Sequence, residues 1–325
     1  MPEVSVIIPL YNKGKYISRA LDSVFAQTYR DYEVIVVDDG STDNGPEIVR
    51  KYDDSRLRPI RQDNEGPGAA RNRAIKESNA AFLAFLDADD EWLPGFLESY
   101  LKKIELDQSS DIVIGPSFFG AQKIDRSVTW KKMGIEEGSW KLHSTSTWKD
   151  LELIDRLFHT CSALFKRKVI ERYSGFYCKN KCCYSEDKYL WLQVVLNHKV
   201  YITMKPLFWY HAENSELYPP DAYSKPGYVS PVLTDPTQIY RNCPPEYFGI
   251  LQRYLCHMAL KTLSTNYANI NLCQLNDLVS KLPCRKYFFW KYIKTRLKIM
   301  FPRWIPSVSW RKKKILQKIL KPRTI

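Results

Sequence analysis

The first hundred residues alternate between two patterns of apolar positions. Continuous runs rich in β-branched residues, such as VSVIIP at residues 4–9, are typical of strands buried on both faces of a parallel sheet. Apolar residues three or four positions apart, such as Ile17, Leu21 and Val24, are typical of one helix face. These patterns predict strands at residues 4–9, 32–39, 56–62 and 80–89 and helices at residues 16–27, 41–53 and 66–79.

Repeated strand–helix units joined by short turns predict an α/β fold with a Rossmann-like, mostly parallel, doubly wound sheet. Pro59 cannot donate a hydrogen bond, which indicates that the third strand lies at an edge of this sheet. Right-handed crossovers place the carboxyl ends of parallel strands along one edge, where ligands bind in open sheets. Three strands are followed there by polar residues, namely Tyr11 and Asn12, Asp38 and Asp39, and Asp87, Asp89 and Asp90. We interpret this convergence as a binding site rather than as unrelated turns.

Beyond Gly120 the pattern is weaker. It predicts helices at residues 147–158 and 185–198, a strand at 161–167, and one strand running into a polar loop over 199–215. Proline and turn residues make residues 216–245 a predicted linker or lid, and helical, basic sequence follows. The predicted division is residues 1–115 and 116–215 as two halves of one domain, 216–245 as the linker or lid, and 246–325 as a helical C-terminal region.

Composition narrows the class of protein only slightly. A chain of 325 residues that is 44% hydrophobic and 26% charged can hold one large domain with an appendage, or two small domains. We expect no signal peptide at Met1 and no membrane-spanning helix, because every apolar run is far shorter than about 20 residues. Zinc ligands could come from Cys178, Cys182, Cys183 and His198. The second half of a metal-ligand pattern is missing, however, which favours reduced thiols in a cytoplasmic protein.

The positive charge lies at the C-terminal end. Residues 278–325 contain fifteen Lys or Arg and no acid, so the net charge of +13 leaves −2 for residues 1–277. Within residues 286–301 an apolar helix face alternates with a lysine face, formed by Phe289, Ile293, Leu297 and Met300 and by Lys291, Lys294 and Lys298. This pattern favours a helix lying on an anionic membrane surface. A helix packed on the domain is the alternative, and nucleic-acid binding is disfavoured because no recognised nucleic-acid module accompanies the charge.

The residues after the first strand exclude two common phosphate cradles. PLYNKGKY at residues 9–16 matches neither the GxGxxG of dinucleotide-binding folds nor the GxxxxGK[ST] of P-loops. A carboxylate pair that holds a divalent cation can bind a diphosphate instead, and Asp87 and Asp89 suit this role because alternate side chains of an extended segment point the same way. The alternative is that Asp89 or Asp90 caps the following helix.

Four motifs then carry a resemblance to a known family: VSVIIPLYN, VIVVDDGSTD, GPGAARNRAI and AFLDADDEWLPGFLE, in this order. Together they resemble the inverting family 2 glycosyltransferases of GT-A fold, of the cell-surface polysaccharide type, densely over residues 4–100 and thinly to about Ser215. The resemblance implies that residues 1–115 are the nucleotide-sugar-binding half and residues 116–215 the acceptor-binding half. Processive members carry a QxxRW motif and membrane helices, and neither is found here, which implies transfer of a single sugar.

The resemblance also implies roles for residues of the donor site. Pro9 and Tyr11 would border the nucleotide base, and the Asp39 carboxylate would accept the uracil N3–H, which suits a group that is an acceptor only. Arg71 would approach the base carbonyl or a phosphate, with a solvated helix charge as the alternative. Asp87 and Asp89 correspond to the DxD-type motif that meets the ribose and the metal.

The general base is implied by the SEDKYLWLQV segment, which is similar to the family's ED motif. Asp187, with Glu186 beside it, would take the proton of the acceptor hydroxyl as that hydroxyl attacks the anomeric carbon. Two acids at a helix N-terminus are also common as caps alone. His211 resembles a family histidine that completes the metal site, since neutral imidazole binds Mn²⁺ or Mg²⁺.

The sequence therefore predicts a metal-dependent, inverting glycosyltransferase that uses a nucleotide-sugar donor, with uridine diphosphate preferred. Its acceptor would be a lipid-linked or surface glycan precursor at the cytoplasmic face of the membrane. A nucleotidyltransferase is the enzymatic alternative, but it would carry a glycine- and arginine-rich loop after the first strand. An inactive sugar-nucleotide-binding scaffold is a second alternative, against which the intact acids argue. Residues 116–148 would decide sugar, acceptor and linkage, and their composition follows no rule that predicts these.

Overall fold

The computed structural model describes residues 1–215, 229–266 and 282–293. Its strands are β1 (Val4–Leu10), β2 (Tyr32–Asp39), β3 (Leu57–Gln62), β4 (Phe82–Phe85), β5 (Glu91–Trp92), β6 (Ile112–Ile114), β7 (Ser117–Phe119), β8 (Ile124–Asp125), β9 (Gly138–Trp140), β10 (Ala163–Lys166), β11 (Val200–Ile202) and β12 (Phe208–Tyr210). Its helices are α1 (Ile17–Phe25), α2 (Gly45–Arg50), α3 (Pro67–Glu77), α4 (Phe96–Leu106), α5 (Ser127–Lys132), α6 (Trp148–Leu157), α7 (Arg167–Arg172), α8 (Glu186–Asn197), α9 (Pro231–Thr234), α10 (Thr237–Asn242), α11 (Phe248–Asn266) and α12 (Cys284–Tyr287).

Among the described residues, the main sheet has the strand order β3-β2-β1-β4-β10-β6-β11-β9. Strands β3, β2, β1 and β4 pair in parallel, and β10 lies antiparallel between β4 and β6. Strand β11 is parallel to β6 and antiparallel to the edge strand β9. The predicted α/β fold with a mostly parallel sheet is thereby confirmed, and β3 with its Pro59 lies at the opposite edge.

Helices cover both faces of this sheet, which explains the continuous apolar runs. In β1, Val6 and Ile8 face a core that includes residues of α1 and α4. The intervening Ile7 faces a second core formed with residues of α3, α8 and α11. Because successive side chains of a strand point to opposite faces, burial of both faces requires an apolar residue at nearly every position.

A second sheet has the order β5-β12-β7-β8 within the described part of the chain. Strand β12 pairs antiparallel with β5 and parallel with β7. The single strand predicted over residues 199–215 is therefore two strands, β11 in the main sheet and β12 in the second. Pro206 lies between them and cannot donate to a ladder, which gives a physical reason for the break. The second sheet begins directly after the acidic residues that follow β4, so it borders the edge predicted to bind ligands.

The C-terminal part of the described chain packs on the first core. Helices α9 and α10 bury Val232, Leu233 and Ile239 against it, and α12 buries Cys284 near α11. Residues 216–228 of the predicted linker or lid lie outside the described residues, as does most of the basic tail, residues 267–281 and 294–325. The described helices include none that is long and apolar enough to cross a membrane. The predicted domain boundaries stay predictions.

Candidate active site

The carboxyl ends of β1, β2 and β4 meet at one edge of the sheet, since these strands are parallel neighbours in the order β2-β1-β4. Side chains tie the loops after β1 and β2 together. Asn12 has a left-handed backbone (φ 51°), its N–H donates to Ser41 Oγ (3.1 Å), and its Oδ1 accepts the Thr42 N–H (2.8 Å). Tyr11 is 46% exposed at this edge, whereas Pro9 is paired with Val37 inside the sheet. The first two strands therefore end in one connected structure.

Asp39 holds the entry to α3. One carboxylate oxygen accepts the Gln62 Nε2 amide (2.8 Å) and the Glu65 N–H (2.9 Å), and the other accepts the Gly66 N–H (2.8 Å). Gly66 has φ of 92°, a conformation that costs glycine little. A carboxylate offers about four lone-pair positions, so three protein donors leave one for a donor on a ligand. Asp39 thus has a structural task that the sequence motif does not disclose.

The three aspartates after β4 have different surroundings. Asp87 is 38% exposed and accepts Arg71 Nη2 at 2.7 Å, while the Asp89 carboxylate pairs with Lys13 Nζ at 2.9 Å. Asp90 is buried and accepts the His211 N–H at 2.8 Å. Burial, and then the charges of Asp89 and Asp87, raise the pKa of Asp90 well above its usual range. Asp87 is consequently the carboxylate most open to a ligand.

Arg71 is buried and binds two carboxylates that lie far apart in the sequence. Nη2 contacts Asp87 Oδ1 at 2.7 Å and Nη1 contacts Glu186 Oε1 at 2.8 Å. The guanidinium also lies 5.2 Å from the Phe176 ring centroid. Burial lowers the pKa of Arg71, but the charges of Asp87 and Glu186 raise it further than burial lowers it. In this structure Arg71 bridges α3, the acidic segment and α8.

The first turn of α8 carries two acids with unequal exposure. Glu186 is buried, and burial followed by the charge of Asp187 raises its pKa to about 7, against the opposing charge of Arg71. Asp187 is half-buried and its Oδ1 accepts the Lys188 N–H at 2.7 Å. Lys188 in turn pairs with Asp155 of α6 at 3.1 Å, which ties the first turn of α8 to α6. Asp187 is therefore the more accessible acid of the pair.

His211 is buried beside the acidic segment. Its Nδ1 lies 2.9 Å from Glu213 Oε1, and its ring stacks on Trp209 with centroids 4.5 Å apart. Its Nε2 is buried, lies 3.5 Å from Glu91 Oε2 and has no hydrogen-bond partner among the described residues. A buried imidazole nitrogen without a partner is uncommon, and a metal ion is one group that satisfies it.

The predicted metal ligands Asp87, Asp89 and His211 are not drawn together as one cluster. Within the described residues, the ligand atoms that lie within 4.8 Å of one another belong to Asp87, Asp90 and Cys161. Burial, and then the charges of Asp87 and Asp90, raise the pKa of the Cys161 thiol, and a neutral thiol is a poor ligand for Mg²⁺ or Mn²⁺. The donor types still fit a divalent cation, because Asp87 is an open carboxylate and the buried His211 Nε2 has no hydrogen-bond partner among the described residues. Among the described residues, the side chains that could together hold a metal ion do not include Cys178, Cys182 or Cys183.

Sequence reasoning missed an imidazole in this crevice. His159 is half-buried, and its ring centroid lies 5.5 Å from that of Tyr210. Burial lowers the pKa of His159, while the charges of Asp187 and Asp87 oppose that effect. Those two acids therefore lie within electrostatic range of one ring. A lone histidine in the segment LFHTCS gives no sequence signal for this position.

Comparison with known proteins gives a family and a fold. The model of the family described as Glycosyl transferase family 2 matches residues 5–174. Glycosyltransferase GlyG of Streptococcus pneumoniae serotype 4 is 31% identical over 161 residues, which are 44% of this chain and 53% of GlyG. The chain spans about half or less of the length of this curated relative and of others that it matches.

Two solved structures are similar to the whole chain. S. aureus TarS 1–349 in complex with UDP-GlcNAc is 21% identical with a TM-score of 0.58, covering 96% of this chain and 77% of that one. Mannosyltransferase PcManGT from Pyrobaculum calidifontis in complex with GDP-Man and Mn²⁺ is 20% identical with a TM-score of 0.55, covering 93% and 88%. At these identities the likeness shows the fold alone.

Proposed function

The chain belongs to glycosyl transferase family 2 and is a glycosyltransferase, and from that premise we propose that it transfers one sugar from a nucleotide-diphosphate sugar to a hydroxyl acceptor with inversion. The observation that supports this most is the Arg71 side chain. Its two arms bind Asp87, on the donor side, and Glu186, the neighbour of Asp187. The DxD-type acid and the helix that carries the predicted base are thus joined by one guanidinium.

Uridine diphosphate is the proposed nucleotide. The remaining acceptor position on Asp39 suits the uracil N3–H, and Tyr11 is exposed at the same edge. The fold neighbours were solved with UDP-GlcNAc and with GDP-Man, so the fold itself accommodates both nucleotides in different proteins.

Asp87, Asp89 and His211 are the proposed ligands of a divalent cation, Mn²⁺ or Mg²⁺. Such a cation, when bound, offsets the negative charge of the diphosphate leaving group. In the structure Lys13 neutralises Asp89. We expect Asp89 to exchange this lysine for the cation when a donor binds.

Asp187 is the proposed general base. The acceptor oxygen forms its bond to the anomeric carbon as the bond from that carbon to the diphosphate oxygen breaks, and the hydroxyl proton passes to the Asp187 carboxylate. Glu186 is less suited to this role, because it is buried against Arg71 and its pKa is raised to about 7.

The proposed acceptor is a lipid-linked or surface glycan precursor, glycosylated at the inner face of the membrane. The charge of residues 278–325 supports docking on an anionic membrane. Of the described residues in this region, Phe289 and Trp290 are 40% and 55% exposed, as expected of side chains at a membrane interface. Residues 1–115 are the proposed nucleotide-sugar-binding half of the domain, and residues 116–215 are the proposed acceptor-binding half.

The test is a transfer and hydrolysis assay against a panel of nucleotide sugars, with Mn²⁺ or with chelator. Asp187→Asn is expected to lower turnover about 10²- to 10⁴-fold while it still binds the donor, and Asp89→Ala is expected to lose metal-dependent donor binding. Donor binding by the wild type without turnover would identify a sugar-nucleotide-binding scaffold. Formation of a nucleoside triphosphate and a sugar 1-phosphate when pyrophosphate is added, in place of a nucleoside diphosphate, would identify a nucleotidyltransferase.

A further inference from the structure

The second sheet builds an aromatic platform beside the crevice. In the pairing of β12 with β7, Tyr210 lies opposite Phe119, and their ring centroids are 5.7 Å apart. The Arg126 guanidinium lies 4.2 Å from the Phe119 centroid. The Arg126 backbone N–H donates to the Ser117 carbonyl at 3.0 Å, so the backbone of this residue is fixed beside β7 while its side chain lies on the platform.

This platform borders the residues proposed to do the chemistry. Tyr210 precedes His211, and its ring lies 5.5 Å from that of His159. Asp187 and Arg126 both lie within electrostatic range of His159, because the charge of Asp187 raises the pKa of His159 and that of Arg126 lowers it. A molecule that occupies the platform is consequently beside the site where an acceptor hydroxyl must sit.

The charge of Arg126 has no ion-pair partner among the described residues, since no carboxylate of that part of the chain lies within 4.0 Å of its guanidinium. The neighbouring Lys123 lies on the other face of the sheet, over the Trp209 ring at 4.2 Å. The nearby Asp125 carboxylate is engaged by the Ser127 N–H at 2.7 Å.

A cation–π contact alone gives a weaker account of Arg126. For a half-buried side chain such as Arg126 such a contact contributes about 0.5–2 kcal/mol and leaves most of the five guanidinium donors unused. Those donors form a planar fork that matches a phosphate or carboxylate group in bidentate geometry. Aromatic rings beside it offer the flat apolar surface on which a sugar ring can lie. The combination suits a sugar that carries a negative charge.

We propose that Arg126, Phe119, Tyr210 and His159 form an acceptor rim, and that the acceptor glycan carries an anionic group, a phosphate or a carboxylate, which Arg126 binds. This inference rests on the proposed function and names the acceptor class for the same site. Residues 116–148, whose composition gives no indication of the acceptor, supply two of the four side chains.

The test uses the full chain with UDP and Mn²⁺ bound and three matched probes: methyl glucoside, methyl glucuronide and glucose 1-phosphate. We expect titration calorimetry to give at least about tenfold tighter binding of one or both anionic probes than of the neutral one. The anionic probe that binds more tightly identifies the charged group of the acceptor as a carboxylate or as a phosphate. The preference is expected to shrink at 500 mM salt, as it must for an exposed ion pair.

Arg126→Gln is expected to reduce the preference to less than about threefold, and Arg126→Lys to retain part of it, because the charge stays but the fork is lost. Arg73→Gln, which removes a half-exposed arginine paired with Glu77 on α3, is the matched control. The Kd for UDP reports the donor site in each variant and separates failure of the rim from failure of the proposed function. Equal or undetectable binding of all three probes, or an Arg126→Gln variant that behaves like Arg73→Gln, overturns the inference.

Discussion

Removing the bridging guanidinium by Arg71→Met gives a direct test of how the site is held. The Arg71 side chain is 6% exposed and Glu186 9%, whereas Asp87 is 38% exposed. Water can solvate Asp87 when its partner is lost, so that pair contributes at most about 1 kcal/mol. Glu186 would remain buried without a partner, but it can take up a proton, so its cost at pH 8.5 is limited to about 2 kcal/mol, or about 1.4 kcal/mol for each pH unit above its pKa of about 7. We expect the variant to lose that amount of unfolding free energy in urea at pH 8.5, followed by tryptophan fluorescence.

The pH dependence of this cost has a definite sign. A free glutamate has a pKa of about 4.3, and in the folded protein burial and Asp187 raise the pKa of Glu186 to about 7. The folded state therefore binds the proton more tightly, and stability falls as the pH rises from the lower value to the higher one. Without Arg71 the folded pKa rises further, so the variant goes on losing stability above pH 7, by about 1.4 kcal/mol per pH unit, where the wild type no longer does.

Arg71→Met should consequently cost less at pH 6 than at pH 8.5, and Glu186→Gln added to it should abolish that difference and recover part of the loss. Arg73→Met, on the exposed face of the same helix, is expected to change stability by less than about 0.5 kcal/mol at either pH. Equal costs at the two pH values, or a cost below about 1 kcal/mol at pH 8.5, would refute the buried bridge.

Further predictions concern the elements that carry the site. Gly68→Ala in α3 should destabilise the protein by about 1–3 kcal/mol, because the added Cβ would lie 2.3 Å from the Tyr177 carbonyl oxygen. Gly249→Ala in α11 should stabilise the protein by up to about 1 kcal/mol, because the added Cβ has no atom of the described chain within 4 Å beyond its own helix turn. The midpoints of unfolding in urea compare the two variants. Thr147→Ala should lower the unfolding free energy by about 1 kcal/mol and speed amide exchange at the start of α6, because the capping box with Asp150 is lost, and an unchanged exchange pattern would contradict that role.

The donor half of the fold was predictable because a strand buried on both faces of a sheet has apolar residues at nearly every position, and such a run is easy to identify in a sequence. The strands β1 and β2 and the helix α8 all lie where the patterns of the sequence predict them. Parallel pairing then fixes which loops meet, so the convergence of polar residues after β1, β2 and β4 follows from topology alone. The second sheet gave no such signal, because strands of two or three residues are too short to show a period of two.

Roles within the site were less predictable than positions, and Arg71 shows why. Its neighbours Gly68, Ala70 and Ala74 are buried at helix spacing, so the periodicity of α3 already contained the signal that Arg71 faces inward. A buried arginine requires carboxylate partners, but its partner Glu186 lies 115 residues further along the chain.

The three aspartates after β4 also have different contacts that the sequence did not predict. In the sequence they are equivalent carboxylates. In the structure Asp87 faces a buried arginine, Asp89 faces a lysine, and Asp90 is enclosed and binds the backbone of His211. Asp90 thereby joins the acidic segment to β12, on which the acceptor rim is built. Their division of tasks is decided by which loop packs against each residue, and a local motif carries no information about that packing.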